Sequence, residues 1–340
     1  MGALTKIVVG FAVAATLAAV GGLWYASRYL ETPLPIDEPV TVDIPAGRGL
    51  NQVAADLAER GVITHPNLFA WYARWLSASA RIQAGEYSIE PGQTPAGLLE
   101  QFVSGRVMLH SITLIEGWTF RQAVAAIRRH QAVTVASEGM TDEELAVRLS
   151  LPTPSPEGWL LPDTYHFPKG TEDLALMAMA ATAMEQALDL AWSQRSPDVP
   201  LESPYQALIL ASIIEKETGL ADERARISGV FVRRLQRGMR LQTDPTVIYG
   251  LGADFDGNLR KADLNRDTPY NSYTRSGLPP TPIALPGRDA LLAAVIPADE
   301  TALYFVATGK GDGSHYFSDT LEEHNQAVAR YLARLREQKD

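Results

Sequence analysis

Ala207 to Thr218 reads ALILASIIEKET, an apolar run that ends in two carboxylates beside Gly219. Aliphatic and small side chains with no polar face predict a helix buried on all sides. Gly219 predicts a left-handed stop after it. A carboxylate at that end is disfavoured twice as an anion, because it leaves a desolvated helix and sits at the negative end of the macrodipole. Both effects raise its pKa, and a carboxyl that keeps its proton near neutral pH is what a general acid requires. Glu215 and Glu217 lie about 200° apart around a helix turning ~100° per residue, so they do not act as one carboxylate pair. Glu217 follows Leu210, Ile213 and Ile214 on its face, whereas Glu215 follows the smaller and more polar Leu208, Ala211 and Ser212. That favours Glu217 as the acid and Glu215 as a supporting residue. The competing reading makes both of them solvated last-turn residues, with Lys216 offsetting their charge.

Other polar groups cluster downstream. In Gln242-Thr243-Asp244-Pro245-Thr246, Asp244 is suited to cap a short helix with Pro245 at its first position. Alternatively, Gln242, Thr243 and Asp244 face a sugar and hold Glu217 or its substrate by hydrogen bonds. Tyr270, Asn271 and Tyr273 combine aromatic faces with amide and hydroxyl groups, a mixture suited to sugar rings. Pro279 to Pro282 then forms an extended wall. Glu157 to Phe167, EGWLLPDTYHF, is dense in aromatic and polar groups. There Trp159, Tyr165 and Phe167 line a cleft or fill a core, and Pro162-Asp163-Thr164 makes a turn. The chain has no cysteine, and its six histidines show no ligand spacing, so neither a metal nor a cofactor is expected. His315 and His324 read as surface or supporting residues.

The elements that position these groups follow from pattern and composition. A length of 340 residues predicts two domains, and a net charge of −10 argues against nucleic acid as a partner. Ile7 to Ser27 has no ionisable group; at 1.5 Å per residue it spans about 30 Å, the thickness of a bilayer core. Lys6 and Arg28 flank it, and Trp24 and Tyr25 fall where an interfacial aromatic belt belongs. Residues 1–28 therefore read as a cytoplasmic tip and an uncleaved transmembrane anchor, with a cleavable signal peptide as the rival. Residues 29–39 include TPLPIDEP, a proline-rich linker expected to act as a semi-rigid tether.

Beyond the linker, Gly47, Gly92 and Gly117 each follow a short β-prone run and precede apolar residues at +6, +7 and +10. Strand, glycine turn and amphipathic helix are thus expected three times, with Thr94 and Thr119 as N-caps of the second and third helices. Residues 40–107 form a small α+β module in this reading, and Asn67 to Leu76 adds a helix. On that helix Trp71 and Trp75 share a face, read as core in preference to a sugar platform. In residues 108–340, Leu174 to Trp192 reads as a scaffold helix. Ala225 to Arg237 reads as amphipathic, with Ile227, Val230, Phe231 and Leu235 inward and Arg226, Arg233, Arg234 and Arg237 outward. The fold class is α+β, with a larger mixed α+β domain after the small module.

ALILASIIEKET, together with GVFVRRLQRGMRLQTDPTVIYGLG (Gly229 to Gly252) and PYNSYTRSGLPPTPI (Pro269 to Ile283), closely resembles the endolytic murein transglycosylases. The resemblance continues through YFVATGKGDGSHYFSDTLEEHN and covers essentially the whole chain. It implies a membrane-anchored lyase that cuts peptidoglycan glycan strands between N-acetylmuramic acid and N-acetylglucosamine, leaving 1,6-anhydro ends and limiting nascent strand length. In that family the catalytic glutamate is the second of the EKET string, here Glu217. The resemblance also implies a LysM-like module at 40–107, a catalytic domain at 108–340, single-pass insertion in the inner membrane with the catalytic domain periplasmic, and penicillin-binding synthases as partners. A muramidase-type hydrolase using Asp163 or Asp244 as second carboxylate, and a non-catalytic wall-binding scaffold, are the alternatives.

Overall fold

The computed structural model describes residues 2–337. The chain is a mixed α+β protein with an N-terminal apolar helix, and it divides into two units. The first comprises Met1–His110 with His166–Gly170, and the second Ser111–Tyr165 with Thr171–Asp340.

In the first unit, α1 (Ala3–Glu31) runs unbroken through the predicted apolar span, and Lys6–Glu31 has a mean hydropathy of 2.1. Phe11, Leu17 and Leu23 on it are left exposed, so no described residue of the unit covers them. There follow β1 (Val40–Ile44), α2 (Leu50–Glu59), α3 (Pro66–Trp75), β2 (Gly85–Ile89) and α4 (Pro95–Ser104). β1 and β2 pair antiparallel with Val42 opposite Tyr87, and alternate residues Val42, Ile44, Tyr87 and Ile89 point into the core. Gly47 and Gly92 take φ of +78° and +85°, left-handed values that turn each strand toward its helix. The predicted inward residues Val53, Ala54, Leu57, Leu98, Leu99 and Phe102 are all buried. The Thr94 side chain accepts from the Gly97 N–H at 3.2 Å, as its capping role requires.

Two expectations fail in this unit. The proline-rich segment does not stand off as the expected semi-rigid tether: Leu34 is buried in the unit's core and its N–H donates to the Gln93 carbonyl at 2.7 Å. Trp71 and Trp75 are not core residues but are 44% and 69% exposed. Phe69, Ala70 and Ala73 occupy the inward face of α3, so the four-residue Trp spacing marks the opposite stripe.

The border between the units falls within β3 (Leu109–Thr113) and within β5 (Thr164–Pro168). The second unit contains α5 (Phe120–Arg129), β4 (Val133–Thr134), α6 (Asp142–Arg148), β6 (Thr171–Glu172), α7 (Asp173–Ser193), α8 (Pro204–Glu217) and α9 (Ala221–Gln236). It continues with α10 (Asp244–Leu251), α11 (Lys261–Asn265), α12 (Arg288–Val295), β7 (Tyr304–Ala307), β8 (His315–Ser318) and α13 (Leu321–Glu337). At its centre α8 packs against α7, α9, α10 and α12, which is why every residue from Ala207 to Ile214 is buried. α7 is apolar enough to cross a membrane, but Leu176, Met177, Ala180, Met184 and Leu188 bury one side of it, as a scaffold helix should. Trp159, Tyr165 and Phe167 are buried as well and fill core rather than line a cleft.

On α9 Ile227, Val230 and Phe231 are buried as predicted and Leu235 partly so, but of the arginines predicted outward only Arg237, just past the helix end, is fully exposed. Arg234 is buried and donates to the carbonyls of Leu241 and Leu303, both at 2.7 Å. Arg233 likewise donates to Ala302 at 2.8 Å. A guanidinium satisfied by loop carbonyls stitches the helix to the segments before α10 and before β7.

Candidate active site

The last turn of α8 holds three neighbouring loops, one through each consecutive side chain. Glu215 Oε2 accepts from the Gly287 N–H at 3.0 Å. Lys216 Nζ donates to the Gly117 carbonyl at 3.2 Å. Glu217 Oε1 accepts from the Thr243 hydroxyl. The two glutamates diverge as their spacing demands, one toward the 287 loop and the other toward the 243 loop. The helix ends on Thr218, which is extended at φ −146°, and Gly219 is not left-handed. The predicted glycine stop is therefore replaced by an abrupt extended turn, with the Thr218 N–H still bonded to the Ile214 carbonyl at 3.3 Å.

Glu217 is half-buried, and its carboxyl is pushed up to about 7, with desolvation the largest cause. The Thr243 hydroxyl lowers it and the neighbouring Asp244 charge raises it again. Thr243 thus occupies one carboxyl oxygen of Glu217, Oε1. The Glu215 side chain is buried and also shifted upward, first by burial; the Gly287 N–H opposes this and Glu116 adds to it. Its nearest cation is Arg224 at 4.0 Å, a residue that no sequence signal had singled out.

The 242–246 segment differs from its sequence reading by one position. α10 begins at Asp244, so Thr243 occupies the cap position, but its side chain turns to Glu217 instead of capping. Thr243 is buried and held from behind, its N–H donating to Ser272 Oγ at 3.0 Å. Ser272 Oγ in turn lies 2.8 Å from the Thr246 hydroxyl. Gln242 is exposed and left-handed at φ +51°, a conformation that a non-glycine residue adopts at some cost. Its N–H bonds the Ser272 carbonyl at 3.1 Å, which fixes the kink that delivers Thr243.

Asp244 is exposed and accepts from the Tyr273 hydroxyl at 2.6 Å. Burial, then Asp244, raise the Tyr273 pKa far above its usual value, so the phenol stays a donor. Tyr270 reaches Thr281 at 2.9 Å and lies edge-on to Tyr249. Asn271 does not face a ligand. It is fully buried, its amide donates to the carbonyls of Asp263, Leu264 and Arg266, and its oxygen accepts from the Tyr273 N–H at 2.8 Å. Asn271 thus shapes the loop that presents Tyr270 and Tyr273. Asp163 is exposed, 3.7 Å from Arg288.

A cavity of about 750 Å³ opens beside this constellation, walled by Thr119, Gln122, Glu157, Lys216, Pro245 and Tyr249 among others. Glu217 does not line it, although its chain neighbour Lys216 and Pro245 of the 243 loop do, so its carboxyl stands beside the cavity rather than within it. Glu157 is the residue that sequence reasoning passed over. It is buried, accepts from the N–H of Phe120 at 2.8 Å and from the Tyr249 hydroxyl at 3.1 Å, and burial pushes its carboxyl up to about 7. It ties the start of α5 to α10, the helix that follows Thr243. Thr119 caps α5 through a reciprocal box with Gln122, as predicted for that threonine. A glutamate preceding Gly-Trp carries no periodic or spacing signal that would have distinguished it.

Comparison with known proteins places this arrangement. Residues 42–330 match the YceG-like family. An endolytic murein transglycosylase of Bacillus subtilis (strain 168) is 32% identical over 335 residues, spanning 92% of this chain and 91% of the relative. One from Streptococcus pneumoniae R6 is 29% identical over 96% of this chain, which spans 65% of that longer protein. The crystal structure of a yceG-like protein from Listeria monocytogenes superposes with a TM-score of 0.54 at 30% identity, covering 85% of this chain and 99% of that one. The chain is a member of the YceG-like family.

Proposed function

We propose that this protein is an endolytic peptidoglycan lytic transglycosylase in which Glu217 is the single catalytic acid and base. The observation that supports this most is a desolvated carboxyl, raised to about 7, at the end of a helix buried on all sides. A group that titrates there serves as donor and acceptor with similar ease. Protonated Glu217 donates to the oxygen joining N-acetylmuramic acid to N-acetylglucosamine, and that bond breaks. The resulting carboxylate takes the proton of the muramic acid C6 hydroxyl as O6 attacks C1 of the same sugar. The products are a 1,6-anhydro end and a free N-acetylglucosamine hydroxyl, and no water is consumed.

Thr243 steadies Glu217, Asp244 and Tyr273 flank it, and Gln242 and Tyr270 face the substrate from the adjoining loops. Glu215 acts as a supporting residue that holds the 287 loop. The name of the Bacillus relative supports both the reaction class and the substrate. In this reading α1 is a single-pass anchor in the inner membrane with its N-terminus cytoplasmic. The 40–107 module is LysM-like, and the catalytic domain works on nascent strands beside peptidoglycan synthases, limiting strand length. Digestion of purified glycan strands by Glu217→Gln and Glu215→Gln variants tests the assignment. Loss of general acid–base catalysis costs ~10²–10⁴-fold, so Glu217→Gln should lose at least that much. Undiminished release of anhydro ends by Glu217→Gln sinks it, and a loss confined to Glu215→Gln moves the acid to that residue.

A further inference from the structure

Two indoles stand on the outside of the first unit. Trp71 and Trp75 stack with ring planes 3° apart and centroids separated by 6.2 Å. Both are exposed, and so is Leu76 beside them. An exposed apolar stripe of this kind marks a contact surface, and two independent observations identify what it meets.

The first is continuity with the apolar helix. α3 starts after His65, whose Nε2 lies 2.8 Å from the Tyr25 hydroxyl and whose ring packs edge-on to Tyr29. Those tyrosines belong to the last turns of α1, where the apolar run ends. At 1.5 Å per residue, Trp71 and Trp75 lie only about 9 and 15 Å along α3 from that junction. Such distances are comparable with a headgroup layer of roughly 5–8 Å plus the reach of an indole.

The second is charge. From Arg60 to Gly85, 26 residues contain no carboxylate, although the whole chain has 40 acidic residues and a net charge of −10. The formal charges in this stretch are Arg60, Arg74 and Arg81, all exposed. Cations flanking exposed tryptophans match an anionic headgroup layer, where arginines gain electrostatically and indoles partition.

We propose that the Trp71–Trp75–Leu76 face of α3 docks on the anionic leaflet of the bilayer that holds α1, giving the first unit a second membrane contact. The inference rests on α1 being a membrane anchor. Its test uses the full-length chain in nanodiscs made from anionic phospholipids brominated near the headgroup. The emission of Trp71 and Trp75 is obtained by subtracting the spectrum of a Trp71→Phe/Trp75→Phe variant. Trp24, isolated in the same way by subtracting the spectrum of a Trp24→Phe variant, reports the anchor. The expected result is a blue-shifted difference spectrum that loses most of its intensity to bromine, with weaker quenching in zwitterionic lipid. A difference spectrum that stays unquenched while Trp24 is quenched overturns the docking and leaves the anchor standing. If Trp24 also escapes quenching, both readings fall. If added glycan fragments bind the stack and abolish its quenching, the face belongs to sugar instead. Oxidative footprinting of the wild-type indoles needs no substitution. Protection in anionic nanodiscs with exposure in zwitterionic ones is expected, and equal oxidation in both overturns the docking.

Discussion

The desolvation that suits Glu217 to the proposed acid role makes it a burden at alkaline pH. Burial pushes its carboxyl up to about 7 in the folded protein from an ordinary 4.5. A shift of roughly 2.5 units at ~1.4 kcal/mol per unit corresponds to about 3 kcal/mol, an order-of-magnitude figure. The folded state binds this proton more tightly than the unfolded chain, so stability falls as pH rises from about 4.5 to about 7 and the loss is complete above that window. Glu217→Gln keeps the shape and the amide oxygen that accepts from Thr243, but it cannot ionise. The variant should gain little at about pH 4.5 and about 3 kcal/mol at about pH 8, with a difference growing by ~1.4 kcal/mol per unit between them. Urea unfolding across this range measures it. In a background where Trp24, Trp71 and Trp75 are phenylalanine, the remaining Trp118, Trp159 and Trp192 all report the second unit. Glu157 titrates in both proteins and cancels in the difference. A gain that does not change with pH, or one that grows toward acid, refutes the reasoning.

Other perturbations probe the same site and its supports. Because the proposed proton donor is the protonated Glu217 carboxyl, kcat/KM should fall as pH rises above about 7, measured as anhydro-end release. Thr243→Val removes a donor to the ionised form, worth about 1.5 kcal/mol, and should move that alkaline limb upward by roughly one unit; an unmoved limb separates Thr243 from the acid. Glu215→Gln retains an acceptor for the Gly287 N–H, so its products should stay anhydro-ended with a rate loss well short of that of Glu217→Gln. In Gly158→Ala the new Cβ meets Pro282 Cβ at 2.6 Å on a backbone held at φ +82°. Proline cannot swing away, and a melting curve should show a loss of about 2 kcal/mol or more.

Much of this arrangement was legible because it follows from local periodicity. The glycine turns at Gly47 and Gly92 and the inward triplets after them obey strand and helix repeats that need no partner to be recognised. The apolar run of α8 likewise announced its own burial. The failures came where tertiary partners decide. Arg234 looks solvated on a helical wheel, yet distant carbonyls of Leu241 and Leu303 bury it. Asn271 has a sugar-binding residue type, but four backbone groups of α11 and the loop after it consume its amide. Trp71 and Trp75 obey core spacing, and only the packing of Phe69 and Ala73 shows which stripe of α3 faces inward. Glu157 was invisible because its role depends on Phe120 and Tyr249, 37 positions before it and 92 after it in the chain.

In the proposed reaction one carboxyl, Glu217, passes a proton out and back without water entering the bond it breaks. Digestion of glycan strands in water enriched in oxygen-18, followed by mass spectrometry of the new ends, measures this directly. Wild-type protein should release anhydro ends free of the label, and Glu217→Gln almost none. Labelled reducing ends, or anhydro ends released equally by both proteins, contradict it.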